Sequence, residues 1–517
     1  MIVYLSIIFS TAAIIIALCY YFGKKPVLFE KHGIPHFPPT PVFGNMGSLI
    51  FHRQDMHQLL QKPYDTFSEA KYFGFYEFST PLIVLRDMEL IKTVTTKSFE
   101  YFQDHRPFVD SETDPLFGGN LFSLKGDQWK DERSMLSPMF TSSKIKNMFE
   151  LMTACAIRFT DSLSKLVEKE PEIELKNVLT LYTNDVIASC VYGINMDTMN
   201  DPKNILYVYG KSATTFTGFR QTLVMLLHRN APKVARLFKI SFIRSHITKF
   251  FMNIVADTVK EREKNCIYRP DMIQLMMDAN NKKESGRSFT LDSMAYHAFS
   301  FFFGGLDSVS SQVAFVVHLM VEYPDIQARL RKEIDEGLER TNGRVTYEVI
   351  HGMKYLDAVI CETMRLYPLV SFLDRVCIKK FELPPALPGG KPFTMEPGMN
   401  LWVPVMPIHK DPNYYENPNK FDPDRFMEDG KKLFNSYIYL PFGVGPRICI
   451  GSRFAMIKMK VLLCYLFARF DVKAGAKTNI PMQLKKGFTA VMPKNGFWVK
   501  LEPRKDPHPS LANGLCC

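Results

Sequence analysis

A cysteine set among glycines is the strongest chemical signal in the chain. Cys449 lies in the run FGVGPRICIG, which spans residues 442–451. The two glycines before the cysteine allow the backbone to turn tightly and to approach a flat or bulky group. A helix is predicted over residues 452–467, so free amides and the helix dipole favour a thiolate at Cys449. Arg447 adds positive charge nearby, and the pattern predicts a thiolate that binds a metal cofactor axially.

An acid and an alcohol lie next to each other in a long apolar stretch. Asp307 and Ser308 end the run Gly-Gly-Leu-Asp-Ser, which begins at Gly304. Adjacent glycines weaken a helix and allow a local kink beside a ligand. The acid and the hydroxyl can then relay protons through water. The alternative is that Asp307 and Ser308 are only partners of the kink.

The cysteine run resembles the haem-binding loop of the cytochrome P-450 superfamily, Phe-x-x-Gly-x-Arg-x-Cys-x-Gly. It matches at Phe442, Gly445, Arg447, Cys449 and Gly451. The resemblance implies that Cys449 is the proximal ligand of haem b and that O2 is a co-substrate. A thiolate ligand pushes electron density to the iron and favours O–O cleavage.

Further motifs of this superfamily occur in the same order. Glu362 and Arg365 resemble its Glu-x-x-Arg pair, and Arg425 lies in a Phe-Asp-Pro-Asp-Arg-Phe run that resembles the segment supplying a third member. The resemblance implies that these three residues form a buried structural network. Gly-Gly-Leu-Asp-Ser resembles the superfamily's oxygen-activation motif, but Ser308 replaces the usual threonine. Serine rotates more freely about χ1, so the proton relay is expected to be less well fixed.

The resemblance also implies residues for the haem propionates. Trp129 and Arg133 resemble a Trp-x-x-x-Arg motif, and Arg375 and Arg447 match two further contacts. His105 lies where relatives often place another donor. By family position the substrate pocket is expected to draw on mostly apolar residues, namely Phe108, Phe122, Phe301, Phe302, Gly304, Phe372 and Phe488. Such a pocket favours lipophilic compounds and loose selectivity.

The N-terminus predicts a membrane anchor. Residues 1–22 carry no charged side chain and are long enough to span a bilayer, and two lysines follow at once. Four prolines then occur within residues 33–41, which predicts a stiff spacer. A cleaved secretory signal is the alternative to the anchor. The expected location is the endoplasmic reticulum membrane, with a single anchor and a cytosolic catalytic domain. The division predicted is an anchor over residues 1–23, a hinge over 24–45, a haem domain over 46–505 and a tail over 506–517, which contains Cys516 and Cys517.

Periodicity and composition predict a mainly α fold with minor β. The 517 residues include 46% hydrophobic types, and ten cysteines show no Cys-x-x-Cys spacing. Helices are predicted over residues 143–169, 291–323 and 328–341, and strands over 81–85 and 496–501. The resemblance implies one large haem domain of the cytochrome P-450 type behind a transmembrane helix. A formal charge of +11 does not by itself indicate nucleic acid, and no nucleic-acid partner is expected.

No flavin- or nicotinamide-binding segment is evident, so electrons must come from another protein. The resemblance implies an NADPH-dependent reductase in the membrane, with cytochrome b5 as a further candidate donor. Basic residues flank the cysteine side and predict a docking face, formed by Lys125, Lys130, Lys144, Lys146, Arg453, Lys458 and Lys460. Charge reversal at Lys130 and Lys458 is then expected to slow reduction.

The function expected is that of a monooxygenase acting on lipophilic substrates. Short segments of the sequence resemble insect members of the superfamily that handle foreign compounds such as plant toxins or insecticides. An endogenous lipid or hormone is the alternative substrate class. A haem-thiolate peroxide isomerase or dehydratase, which needs no reductase, is a second reading, and a non-enzymatic membrane haem protein is a third.

Overall fold

The computed structural model describes residues 28–107, 109, 111–214, 219–282, 288–428, 437–487 and 491–506. The predicted anchor, most of the predicted tail, Phe108 and Phe488 lie outside these residues. The α-helices are α1 Leu28–Lys31, α2 Gly47–Ile50, α3 Met56–Thr66, α4 Met88–Lys92, α5 Pro115–Gly118, α6 Gly126–Leu136, α7 Ser142–Lys169, α8 Leu175–Ile187, α9 Ile205–Thr214, α10 Phe219–Asn230, α11 Pro232–Leu237, α12 Ser245–Asn265, α13 Met272–Lys282, α14 Leu291–Glu322, α15 Pro324–Glu339, α16 Tyr347–Gly352, α17 Lys354–Leu366, α18 Val405–His409, α19 Asp424–Glu428 and α20 Ser452–Arg469.

Strands are short and form three sheets within the described chain. Their bounds are β1 Tyr72–Glu77, β2 Thr80–Leu85, β3 Glu172–Glu174, β4 Phe372–Val376, β5 Phe381–Leu383, β6 Phe393–Met395, β7 Asn400–Pro404, β8 Phe470–Lys473 and β9 Trp498–Pro503. The four-stranded sheet has the order β1-β2-β7-β4, the three-stranded sheet β3-β9-β8, and β5 pairs with β6. Strand β2 is parallel to β7, and the other pairs are antiparallel. Short 3-10 turns include Ser137–Phe140 and Gly445–Arg447, and π turns include Thr93–Lys97 and Ala188–Tyr192.

Helix α14 runs through the main hydrophobic core. Thr290 caps its first turn by accepting the amide of Ser293, and Pro324 begins the next helix immediately beyond its end. Its side chains are buried on nearly all faces in the second half, as the sequence predicts. Among the described helices, α14 alone is long and apolar enough to cross a bilayer. Its burial identifies it as a core helix. The other predicted helices and strands are confirmed within a few residues of their predicted ends.

A second core surrounds the four-stranded sheet and includes the first described residues. Phe29 of α1 is buried against Gly74, where an added Cβ would lie 2.3 Å from the Phe29 ring. His36, within the proline-rich segment, bridges to Gly74, and the Gly74 amide donates to the carbonyl of Pro35. Residues 28–45 of the predicted hinge therefore contact β1. The boundary between hinge and haem domain stays a prediction.

The architecture is mainly helical with a small amount of sheet, as predicted. Helices α7, α8, α14 and α20 pack together in the main core, and the sheet of β1, β2, β7 and β4 lies in the second core. The run from Phe442 to Gly451 joins these parts, because it follows the second core and leads directly into α20.

Candidate active site

The loop that carries Cys449 is shaped by glycines with left-handed backbone angles. Gly443 and Gly445 have φ values of 77° and 73°. A Cβ on Gly445 would lie 2.1 Å from the carbonyl oxygen of Thr95, so a larger residue is excluded there. The Cys449 amide donates to the carbonyl of Phe442 at 2.8 Å, which closes the loop across the motif.

Cys449 is accessible to solvent. The residue is exposed, unlike the buried cysteines Cys155, Cys190, Cys361, Cys377 and Cys464. Burial in surrounding protein nevertheless raises the pKa of Cys449, while the Gly451 amide and Arg133 lower it. A bound metal ion would secure the thiolate, because a coordinating thiol is deprotonated.

Three arginines converge beside the cysteine loop, namely Arg133, Arg375 and Arg447. The Arg447 guanidinium donates to the carbonyls of Gln103, Leu121 and Leu124 and lies 4.0 Å from the centre of the Trp129 ring. Burial and the neighbouring Arg375 lower the pKa of Arg447 to about 9.

Arg375 is almost fully buried and is only partly satisfied by protein. It donates to the carbonyls of Asp374 and Val444, and burial lowers its pKa to about 10. Its Nε has no hydrogen-bond partner among the described residues. Among the described residues Arg133 forms no ion pair. The cluster of three arginines can therefore accept an anionic group.

His105 is held between an acid and an aromatic ring. Its Nδ1 lies 2.9 Å from Asp374 Oδ1, and its ring stacks on Phe122 with centroids 4.8 Å apart. Burial lowers the pKa of His105, although Asp374 opposes the shift. Asp374 also accepts the amide of Arg106. Asp374 therefore engages Nδ1, and the predicted propionate contact would require Nε2.

Glu362, Arg365 and Arg425 come together as the sequence predicts. Glu362 and Arg365 are fully buried and form two parallel hydrogen bonds of 2.7 and 2.8 Å. Arg425 Nε lies 3.5 Å from Glu362 Oε1. Arg365 also donates to the carbonyls of His409 and Pro418, so every side of the pair is engaged.

His409 connects this network to the cysteine loop. The sequence did not identify this residue. Its Nε2 accepts the amide of Leu440 at 2.8 Å, so its Nδ1 carries the proton and donates to the Arg365 carbonyl at 3.0 Å. Burial lowers the pKa of His409 to about 3, which keeps the ring neutral. Leu440 is two residues before Phe442. A histidine without a motif around it gives no sequence signal for this role.

The Gly304–Ser308 region of α14 faces two environments. A Cβ on Gly304 would meet nothing within 4 Å, whereas one on Gly305 would lie 3.0 Å from Ile187 of α8. Asp307 forms an ion pair with Lys176 of α8, and the Ser308 hydroxyl donates to the Gly304 carbonyl. The helix continues through both glycines, so the predicted kink does not interrupt it. Lys176 is a second residue that the sequence did not identify.

The predicted pocket residues divide into open and packed positions. Phe122 is 45% exposed, and Phe301 is half-buried with its ring 5.2 Å from Phe140. Phe372 stacks on Trp402 at 3.9 Å. Phe302 is fully buried against Phe251 and Gly210, so it packs α14 into the core and contributes no open wall.

The predicted basic face needs one correction. Lys458 and Lys460 are 0% and 2% exposed and lie inside the protein, because the α20 surface that carries them is covered by other helices. Lys460 pairs with Asp357 at 3.0 Å. Lys125, Lys130, Lys146 and Arg453 are exposed, and Lys144 is half-buried.

A surface cleft of about 610 Å³ lies away from the cysteine loop. Its lining includes Asp55, His57, Asp65 and Lys410. None of the residues that line it belongs to the loop or to the arginine cluster, so we do not assign the chemistry to it.

Comparison with known proteins decides the family. The family model for cytochrome P-450 matches residues 35–501. The chain belongs to the cytochrome P-450 family. Cytochrome P-450 9e2 of Blattella germanica is 41% identical over 520 residues, covering 95% of this chain and 96% of its own length. Cytochrome P-450 9b2 of Drosophila melanogaster is 35% identical, covering 94% and 95% of the two chains, and cytochrome P-450 6k1 of Blattella germanica is 33% identical, covering 94% and 95%.

The resemblance to insect members of the family is thereby confirmed. As a cytochrome P-450, the chain is a haem-dependent monooxygenase that uses O2. The residues present fit such a group: Cys449 is accessible, and the buried guanidinium groups nearby include an unused donor on Arg375. Asp104 lies 3.7 Å from Arg447, and Asp374 lies beside Arg375, so the donors left for the propionates of a bound haem are Arg133 and Nε of Arg375.

Proposed function

We propose that this protein is a membrane-anchored monooxygenase that inserts one oxygen atom from O2 into lipophilic foreign compounds, with electrons from an NADPH-dependent reductase. The observation that carries the proposal is the exposed Cys449 in a glycine-shaped loop, beside Arg133 and the arginine cluster that includes the Nε of Arg375, unpartnered among the described residues. Haem, when bound, supplies O2 binding and O–O cleavage. Product formation from lipophilic substrates that requires both reductase and NADPH would support the proposal. Turnover of organic peroxides alone, without NADPH, would favour an isomerase or dehydratase instead.

In this proposal Cys449 is the iron ligand, and Arg133, Arg375, Arg447, Trp129 and His105 orient the propionates. Phe442 supports the proximal side of the loop. Arg375 Nε is the donor best prepared for this role, because it is buried and has no partner in the described chain. Glu362, Arg365 and Arg425 act at a distance by holding the loop through His409.

Asp307 and Ser308 are proposed to deliver protons. Asp307 is 49% exposed on its side chain and paired with Lys176, so it can exchange protons with solvent and pass them inward. Ser308 donates to the Gly304 carbonyl in the arrangement described, and its hydroxyl can rotate towards the open space beside Gly304.

Ser308→Thr is expected to reduce loss of electrons to peroxide. Threonine keeps the hydroxyl but restricts χ1, so we expect the peroxide formed per NADPH to fall by roughly half. Peroxide and product are measured together in the reconstituted system, with Ser308→Ala as the control that raises leakage. Equal or greater leakage in Ser308→Thr would contradict the role of this hydroxyl.

The proposed substrates are lipophilic because the residues proposed for the pocket are apolar. Phe122, Phe301, Phe372 and Gly304 offer rings and open backbone without charge. Foreign compounds are the substrate class proposed from the resemblance to insect relatives, and an endogenous lipid or hormone is the alternative outcome of a substrate panel.

The proposed location is the endoplasmic reticulum membrane. Leu237 and Phe238 at the end of α11 are 76% and 68% exposed, and Lys233, Arg236 and Lys239 accompany them. Apolar side chains among basic ones favour a lipid surface. Arg229, just before α11, pairs with Glu77 of β1, the strand against which the described chain begins. An anchor over residues 1–23 would therefore place the membrane near the exposed end of α11.

Electron transfer is proposed to use the exposed basic residues beside the cysteine loop. Replacing both Lys130 and Arg453 by glutamate is expected to slow reduction by about tenfold at low ionic strength and less at high salt. Stopped-flow reduction by the reductase measures the rate. Lys391→Glu, an exposed change between β5 and β6, is the control. Equal rates in the double variant and the control would remove this docking face.

A further inference from the structure

Lys458 is a buried lysine with an unusual pair of acceptors. It lies in α20, is fully buried, and forms no ion pair within the described chain. Its Nζ donates to the carbonyl of Thr183 in α8 and to that of Gly305 in α14, both at 3.1 Å. One side chain therefore joins three helices beside the oxygen-activation segment. Buried amines need such partners because desolvation is costly.

The carbonyls of residues 304–307 all accept side-chain donors. The Ser308 hydroxyl donates to Gly304, and Lys458 donates to Gly305. Thr183 and Ser310 donate to the carbonyl of residue 306, and Ser310 and Ser311 donate to that of residue 307. The serine hydroxyls of α14 itself compete with the helix amides and make this turn easier to deform, so hydrogen bonds from neighbouring helices matter more for its position. The turn that carries the proposed proton relay therefore has four consecutive carbonyls that accept side-chain hydrogen bonds.

Lys458 differs from the other donors in this turn. It comes from α20, and it alone among these donors is an amine. Thr183 also reaches α14 from another helix, but its donor is a neutral hydroxyl. The close contact of Gly305 with Ile187 brings α14 and α8 within reach of the same Nζ atom. An amine that bonds both backbones fixes their separation at this turn.

We propose that Lys458 is a positioning residue for oxygen activation, which holds the turn of residues 304–308 against α8 and so keeps Asp307 and Ser308 in place. This inference rests on the proposed proton-delivery role of Asp307 and Ser308. Burial lowers the pKa of Lys458 to about 7. The amine retains N–H donors in either form, so both hydrogen bonds survive its deprotonation.

The test compares two buried lysines of the same helix. Lys458→Met keeps the length and apolar stem of the side chain and removes the donors. Lys460→Met is the matched control, because Lys460 is equally buried but bonds Asp357. Hydrogen–deuterium exchange of the holoenzyme is followed at residues 308–311. In an α-helix the amides of these residues donate to the carbonyls of residues 304–307. Peroxide formed per NADPH is measured in the same preparations.

In Lys458→Met we expect exchange at residues 308–311 to become about tenfold faster and the peroxide fraction to rise. Lys460→Met is expected to leave both at wild-type values. Lys458→Gln, which restores a neutral donor, is expected to fall between wild type and Lys458→Met and also serves if the methionine variant does not fold.

Three results would overturn the proposal. The first is wild-type exchange in Lys458→Met, and the second is the same increase in Lys460→Met. The third is faster exchange with unchanged peroxide, which would make Lys458 merely structural. Asp307→Asn separates this from failure of the proposed function: unchanged coupling in that variant would reject the proton relay, whereas the exchange result depends on Lys458 alone.

Discussion

Replacing Cys449 by serine is expected to abolish monooxygenase activity and the thiolate-type carbon-monoxide difference spectrum. The backbone of the loop is set by Gly443, Gly445 and the hydrogen bond from residue 449 to Phe442, and none of these needs the sulfur. The variant should therefore fold while losing the soft thiolate ligand of the loop. We expect turnover below detection.

The measurement is a reduced carbon-monoxide spectrum of purified protein, with circular dichroism to verify folding. Cys266→Ser is the matched control, because Cys266 is also an exposed cysteine but lies at the end of α12. A wild-type thiolate band in Cys449→Ser would reject the assignment of the ligand. Loss of that band in Cys266→Ser would do so equally.

The second large effect is expected at the buried pair of Glu362 and Arg365. Glu362→Gln removes one charge and leaves the Arg365 guanidinium buried without a carboxylate. We expect the free energy of unfolding to fall by about 3–5 kcal/mol, since an uncompensated buried charge is costly. Because His409 connects this pair to Leu440, exchange of the amides in residues 437–451 should also rise.

Glu348→Gln is the control for that change. Glu348 also pairs with a cation, Lys146, but both groups are exposed, so no measurable loss of stability is expected. Denaturant unfolding followed by tryptophan fluorescence compares the two variants. Equal stability of Glu362→Gln and Glu348→Gln would show that the buried network does not support the loop.

Local spacing was sufficient to identify the family and to predict the ligand. The Cys449 loop is a run of ten residues, and Glu362 and Arg365 are three apart on one helix, so both patterns survive in the sequence without knowledge of the fold. The long helix α14 was equally visible, because a helix that is apolar on nearly all faces either lies in a protein core or crosses a membrane. Helix and strand positions followed from periodicity for the same reason.

Tertiary structure decided which distant residues meet these motifs. Asp307 and Lys176 are 131 residues apart, and Arg447 reaches carbonyls more than 300 residues earlier in the chain. Lys458 reads as a surface lysine in the sequence, yet α8 and α14 cover it. Side-chain direction and burial depend on which helices pack together, and no local pattern carries that information. His409, Lys176 and the brace at Lys458 therefore emerged only from the folded chain.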